Sequence, residues 1–169
     1  MIVLDLSGAD GPQTLFTSKS QPYTAADLAL DGNLLYWLTY RSSLRLFDIS
    51  NPAAPILVGE VAIPSDMQAI VAQDNYLYLV ENLPPGDRKD ALRVFDNSAP
   101  LHPLELGLHS LSSQGIELDV IDDRAYVRVW NGSLETIDLS DPAAPRLLYT
   151  LTGLSGAYFY PPYLFTAGM

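Results

Sequence analysis

Short runs of alternating apolar and polar residues follow one another along the whole chain, and turn residues separate them. Apolar side chains at every second position are typical of a β-strand that buries one face. Valine, leucine, isoleucine and tyrosine dominate these runs, and apolar residues do not recur at helical spacing. The pattern therefore predicts an all-β protein.

The runs fall into units of four predicted strands, and each unit contains the same kinds of strand in the same order. The first strand is short and apolar, the second carries an aromatic residue, the third ends in aspartate, and the fourth follows a pair of prolines. Turns such as Asp31-Gly32, Asp74-Asn75 and Asp122-Asp123 separate the first two strands. We predict first strands at 27–30, 68–72, 116–121 and 157–160, second strands at 34–38, 76–80, 125–129 and 163–166, and fourth strands at 15–17, 56–61, 104–108 and 146–151.

The end of the third strand carries a repeated motif, Asp-x-Ser-x-Pro-x-x-Pro. Its aspartates are 43, 48 and 42 residues apart. An aspartate here can accept a hydrogen bond from the backbone N–H two residues on, and the prolines then force the chain to turn. The residues of this structural motif are Asp5, Asp48, Asp96, Asp138, Ser50, Ser98, Ser140, Pro52, Pro100 and Pro142. Repeat symmetry spreads the aspartates apart, so we expect no metal ion at this column.

Four short strands at a period of roughly 40–45 residues are typical of the blade of a β-propeller. We predict one domain, 1–169, with half blades at 1–23 and 153–169 and full blades at 24–64, 65–110 and 111–152. The first half blade holds third and fourth strands, and the last holds first and second strands. Two arrangements remain open at this stage, a closed four-blade ring and a segment of a larger propeller.

Composition narrows the function classes. The chain has 20 acidic and 9 basic residues, for a net charge of −11, which disfavours nucleic acid and anionic lipid as partners. There is no cysteine, there are two histidines, and no apolar run reaches the length of a membrane span. No catalytic motif, cofactor motif or metal-ligand spacing is present. We therefore predict no catalytic residue, no cofactor and no insertion into a membrane.

The segment that reads R-L-F-D-I-S-N-P-A-A-P-I-L-V-G resembles the LVIVD repeat, a family named for its apolar strand ending in aspartate. The resemblance is strong at 44–59 and 134–148, less at 92–107 and least at the N-terminus. It implies a β-propeller in a protein that is exported or displayed at the cell surface, and this chain itself contains no signal-peptide pattern. It implies neither a particular reaction nor a particular ligand.

Candidate ligand-binding residues lie at the ends of the second strands, where propeller loops form one face. Tyr40 and Trp130 share a column there, with Arg41 and Glu81 nearby, and Arg88 lies in an insertion at 82–90. Exposed aromatic and charged side chains together suit a sugar or a peptide. The alternative is that Tyr40 and Trp130 pack against the next blade and that the insertion is a solvated loop.

Two hypotheses about function follow. The first is a non-enzymatic binding or scaffold module for protein or carbohydrate, able to self-associate through open blade edges. The second is part of a propeller enzyme, a hydrolase or lyase, whose catalytic groups lie in blades absent from this chain. An enzyme would show converging titratable groups with shifted pKa values, whereas a binding module would show an aromatic or polar rim.

Overall fold

The computed structural model describes residues 1–9, 11–17, 24–40, 43–63, 67–83, 90–160 and 163–168. Within these residues the chain forms antiparallel β-sheets, each built from one continuous stretch of sequence. The prediction of an all-β propeller is confirmed. Sixteen strands run along this part of the chain: β1 (Ile2–Asp5), β2 (Gln13–Thr17), β3 (Ala25–Asp31), β4 (Leu34–Thr39), β5 (Ser43–Asp48), β6 (Ile56–Ala62), β7 (Met67–Gln73), β8 (Tyr76–Glu81), β9 (Ala91–Asp96), β10 (Leu104–Ser110), β11 (Gly115–Ile121), β12 (Arg124–Val129), β13 (Ser133–Asp138), β14 (Arg146–Leu151), β15 (Leu154–Tyr160) and β16 (Tyr163–Gly168).

Three sheets have four strands each and correspond to propeller blades. The first sheet is β3–β6, the second is β7–β10 and the third is β11–β14, and within each sheet every strand pairs with the next. Two hairpins, β1–β2 and β15–β16, form separate two-stranded sheets. Since β1 and β16 pair in different sheets, the described part of the chain has the open arrangement and not the closed four-blade ring.

The turn between the first two strands of each sheet requires residues that tolerate a left-handed backbone. Asp74 and Asn75 have φ of 53° and 63°, and Asp122 has φ of 51°. Gly32 holds the same turn in the first sheet with φ of 56°. Asparagine, aspartate and glycine adopt this conformation at the least cost, which is why they recur between the first and second strands.

The core lies between neighbouring sheets and not within one sheet. Side chains of the first and second sheets form one apolar cluster, and those of the second and third sheets form another. Tyr36 is buried in the first cluster and Tyr78 in the second, so the aromatic residue of the second strand packs between blades, as expected. Asn97 of the second sheet donates a hydrogen bond to the Tyr36 hydroxyl at 2.6 Å, which joins two sheets through a buried polar contact.

Outer strands carry a glycine where the proline turn of the following sheet approaches. A Cβ atom at Gly59 would lie 2.5 Å from a methyl carbon of Leu101, and one at Gly107 would lie 2.5 Å from the carbonyl oxygen of Ala143. Leu101 and Ala143 belong to the Asp-x-Ser-x-Pro turns of the second and third sheets. Each such turn therefore serves as a contact between blades as well as a chain reversal.

We expect the substitution Gly107→Ala to lower the free energy of unfolding by about 1–3 kcal/mol, because the added methyl group meets backbone atoms that cannot rotate away. Urea denaturation measures the effect. Ala62→Ser is the control, since it adds one atom at an exposed position on the outer strand β6. Equal losses in the two variants would contradict close packing at Gly107.

Candidate binding rim

The Asp-x-Ser-x-Pro turns lie at one edge of the sheets, opposite the predicted binding residues. Asp5, Asp48, Asp96 and Asp138 each accept a hydrogen bond from the backbone N–H of the serine two residues later, at 2.8–3.0 Å. The expected Asx turn is therefore present in all four copies. Arg146 adds an ion pair to Asp138 at 2.7 Å.

These hydrogen bonds lower the pKa values of the four carboxyl groups. In Asp138 the backbone N–H of Ser140 contributes most, followed by the Ser140 hydroxyl and then by Arg146, and the pKa falls to about 2. In Asp48 and Asp96 the backbone bond is again the largest cause, whereas in Asp5 the Ser7 hydroxyl is the largest. Each aspartate therefore acts as a carboxylate that stabilises its turn by accepting hydrogen bonds.

The lowered pKa values predict a loss of stability in acid. Because each folded-state pKa lies below the unfolded value of about 3.9, the contribution is complete above about pH 4 and disappears as the pH falls toward 2. The urea midpoint should therefore fall steeply between pH 4 and 2. Asp138→Asn keeps an acceptor oxygen without the charge, so its midpoint should fall less over that window than the midpoint of the parent. Identical slopes for Asp138→Asn and the parent would contradict the role given to Asp138.

The loops at the opposite edge of the sheets form a surface that we call the rim. It consists of Tyr40, Asn82, Leu111–Gln114 and Trp130–Gly132. Here the second strands end and the chain crosses to the third strands. Tyr40 on the first sheet is 53% exposed and Trp130 on the third is 74% exposed. The second sheet lies between them, so the two aromatic residues occupy the same column without being neighbours.

Trp130 stands on a turn whose backbone is extensively hydrogen-bonded. Its own N–H donates to the carbonyl of Gln114 at 2.8 Å, and the N–H of Gly132 donates to Val129 at 3.1 Å. Asn131 accepts a hydrogen bond from the N–H of Ser133 through its side-chain oxygen, at 3.0 Å. Gly132 has φ of 79°, which favours glycine at this position of the turn.

A second group of polar contacts fixes the loops on either side. The side chain of Asn82 pairs with the backbone of Gly115 in both directions, donating at 2.8 Å and accepting at 3.0 Å. Since Gly115 begins the third sheet, this amide joins two blades. The N–H of Ser112 donates to the buried carboxylate of Glu135 at 2.9 Å, and Asn131 donates to the Ser112 hydroxyl at 3.3 Å.

The structure places Glu81 away from the exposed surface. Its side chain is 1% exposed and bonds to Arg93 at 2.7 Å, and Arg93 also contacts Glu105 at 2.7 Å. The expectation of an exposed carboxylate beside the aromatic residues is therefore wrong in geometry. Alternation held no signal, because both faces of β8 are buried, with Leu77 and Leu79 on one side and Tyr78 and Val80 on the other. Arg41 and Arg88, the other two charged candidates, lie outside the described residues.

Sequence reasoning missed a charged patch on the third sheet, on the face toward β15–β16. Glu117 and Arg128 form an ion pair there, and burial together with the nearby charge of Glu117 raises the pKa of Asp119. The equivalent positions in the second sheet are apolar and pack against the third sheet. Those positions hold Ala69, Val71 and Val80. Aligning the repeats column by column would have revealed this change.

Among the described residues, no group of three or more histidine, cysteine or carboxylate side chains is arranged to hold a metal ion. No helix in that part of the chain is long and apolar enough to cross a membrane.

Comparison with known proteins supports the repeat assignment. The LVIVD repeat matches residues 24–63 and 116–152, which cover the first sheet and all of the third sheet except its first residue, Gly115. The second sheet lies outside the match although it has the same strand order. A search of curated proteins found no match.

Solved structures with the same fold include natural and designed proteins. Hsv2 from Kluyveromyces lactis is 14% identical with a TM-score of 0.64, covering 86% of this chain and 42% of that one. The computationally designed Ika4 is 15% identical with a TM-score of 0.65, covering 92% of both chains. Designed Ika8 is also 15% identical, with a TM-score of 0.64 over 92% of this chain and 46% of Ika8.

The chain thus spans less than half the length of Hsv2 and Ika8. At these identities the likeness concerns the fold alone. Together with the repeat match and the sheet order, it shows a β-propeller fold that contains LVIVD repeats at residues 24–63 and 116–152.

Proposed function

We propose that this propeller is a non-enzymatic binding module and that it binds carbohydrate on its rim through Trp130. The observation that carries the proposal is the exposure of Trp130, a residue that is 74% accessible and stands on a turn hydrogen-bonded on both sides. A large apolar ring gains free energy when a ligand removes it from water. Because the backbone of its turn is already fixed, little conformational entropy is lost on binding.

Polar groups beside the indole favour sugar over an apolar ligand. The Asn131 amide and the Ser112 hydroxyl bond to each other next to Trp130, and both groups have further capacity to donate or accept. A sugar presents apolar C–H faces for stacking on a ring and hydroxyl groups for hydrogen bonds. Tyr40 offers a second exposed aromatic residue on the same rim, suited to a longer chain of sugars.

Tryptophan fluorescence provides the test. The purified chain is titrated with chitotetraose, cellotetraose and maltotetraose, each to millimolar concentration. At least one should change the emission saturably, since Trp130 is exposed while the only other tryptophan, Trp37, is buried. Trp130→Ala should abolish the saturable response. Leu104→Ala, which removes an exposed apolar side chain from an outer strand outside the rim, is the control and should retain it.

Two results would overturn the proposal. One is the absence of saturable binding to all three oligosaccharides. The other is binding that Trp130→Ala leaves unchanged. A response to a peptide digest without any response to sugars would reassign the rim to protein recognition.

A further inference from the structure

We propose that two copies of this chain complete one propeller ring, each copy supplying the strands that the other lacks. This inference does not depend on the proposed function. It rests on two open apolar faces of the molecule, on the way blades pack within the chain, and on the share of known rings that the chain covers.

The first open face lies on the β1–β2 hairpin, on the side that points away from the first sheet. Ile2, Leu4 and Leu6 alternate along and just beyond β1, and all three are exposed. In the third sheet, the residues in the columns of Leu4 and Leu6 are Ile137 and Leu139, which are buried against the second sheet. Leu4 and Leu6 are therefore apolar residues of the kind that packs against a neighbouring blade, but no blade covers them in the described part of the chain.

The inner strand of the first sheet shows the same mismatch. Leu28 and Leu30 on β3 are exposed, whereas Ile70 at the position of Leu28 in the second sheet is buried. A cavity of about 260 Å³ lies between β1 and this sheet, with Leu28 in its wall. The first and second strands of a preceding blade would occupy this place.

The second open face lies on the C-terminal side of the third sheet. A cavity of about 620 Å³ runs along β13 and β14, and Leu148, Tyr149 and Leu151 in its wall are exposed. The Thr136 hydroxyl, also in the wall, is buried and has no hydrogen-bond partner among the described residues. Tyr163 of β16 lines the inner side. The third and fourth strands of a following blade would fill this cavity.

The two hairpins of one copy correspond to the strands that would cover the open faces of another copy. β1–β2 has the sequence pattern of third and fourth strands, and β15–β16 that of first and second strands. In the described residues β1 pairs only with β2, and β16 only with β15, so each has an edge available for pairing. Placing β1–β2 of one copy beside β15–β16 of another yields a four-stranded blade, and doing so twice closes a ring with two-fold symmetry.

The sizes of the residues that would meet between two copies are complementary. In the first and second sheets a glycine on the outer strand receives the next proline turn, but the third sheet has Tyr149 in that column. The turn after β1 is correspondingly small, with Gly8 and Ala9 where the third sheet has Asp141 and Pro142. A large side chain thus faces a thinner turn.

The curvature of known rings agrees with two copies. The chain covers 46% of Ika8 and 42% of Hsv2 at TM-scores of 0.64. Its blades therefore follow just under half of a ring of that size. Two copies would contribute six complete sheets and two composite blades.

Light scattering coupled to size-exclusion chromatography tests the stoichiometry. We expect a mass twice the 18.5 kDa of one chain. Leu4→Arg should shift the protein to the mass of a monomer, because a guanidinium would be buried at the new interface. Leu104→Arg is the matched control, since Leu104 is 65% exposed on β10 and belongs to neither open face, and it should remain dimeric. Circular dichroism establishes that both variants are folded.

A disulfide tests the pairing itself, and the absence of cysteine gives a clean background. β4 and β5 place Tyr36 opposite Leu46, and the same register would place Phe165 opposite Val3 of a second copy. The double variant Val3→Cys, Phe165→Cys should run as a covalent dimer on a non-reducing gel after mild oxidation. Mixing the two single variants should give the same linked dimer.

Several outcomes would overturn the two-copy ring. A monomeric mass at all concentrations would do so, as would larger open assemblies. A disulfide within one chain would indicate a self-closed ring, and failure of the double variant to cross-link would refute the proposed register and with it the composite blade. Dissociation by Leu104→Arg as readily as by Leu4→Arg would place the contact elsewhere.

Discussion

Replacing Arg93 with methionine is expected to lower the free energy of unfolding by about 3–5 kcal/mol, the range for breaking a buried ion pair. Arg93 is largely buried and bonds to two carboxylates, Glu81 and Glu105, each at 2.7 Å. Glu81 is 1% exposed, so the substitution leaves its charge inside the protein without the principal cation that balances it. Urea denaturation at neutral pH measures the loss.

Arg128→Met serves as the matched control for that experiment. Arg128 also pairs with a glutamate, Glu117, but both side chains are much more accessible to water. Water and salt screen such a pair, and we expect a loss of no more than about 1 kcal/mol. The double variant Arg93→Met, Glu81→Met should recover much of the loss, because it removes both charges together. Similar losses in Arg93→Met and Arg128→Met would mean that burial does not govern the strength of the first pair.

Leu79→Ala is expected to cost about 2–5 kcal/mol, as large-to-small changes in a packed core usually do. Leu79 is 1% exposed on β8 and belongs to the apolar cluster between the first and second sheets. The substitution leaves a cavity where two sheets meet, and both sheets lose packing at once. Thermal or urea unfolding measures the change.

Leu104→Ala is the control for this substitution, because the same atoms are removed from an exposed position. A change within about 0.5 kcal/mol is expected there. If Leu79→Ala were as mild as Leu104→Ala, the contact between the first two sheets would be loose, and the sheets would not depend on each other for stability.

Most of the fold was predictable because the sequence contains several copies of the repeat. The turns at Asp74-Asn75 and Asp122-Asp123 separate strands where predicted, and Ile56, Leu104 and Arg146 begin outer strands directly after a proline. Each copy supports the alignment of the others. The burial of Tyr36 and Tyr78 between blades followed from the same columns.

Side-chain direction at the rim was less predictable. Tyr40 and Trp130 are exposed, but Glu81, one residue earlier in the repeat than these two, faces inward to Arg93. A carboxylate at the end of a strand suggests exposure to solvent, and alternation does not correct this expectation, because residues of both parities in β8 are buried. The partner is twelve residues away on the next strand, so pairing depends on register as well as on composition.

The arrangement of the terminal hairpins was left open by the sequence for a physical reason. Complementary half blades can join within one chain or between chains, and the local pattern of strands is the same in both cases. What distinguishes the two is the accumulated angle between successive blades, which depends on how sheets such as β3–β6 and β7–β10 pack. That angle is a property of the packed sheets and is not encoded by any one strand.

The construction of each four-stranded sheet from a continuous stretch of chain has a mechanical consequence. If the two ends of the molecule are pulled apart, a sheet can unravel completely while its neighbours keep their own strand pairing. The aspartates of successive repeats are 43, 48 and 42 residues apart, and an extended residue spans at most about 3.6 Å, so each rupture should release roughly 150–170 Å of chain. Force on this protein would therefore be relieved in steps of nearly equal length, one blade at a time.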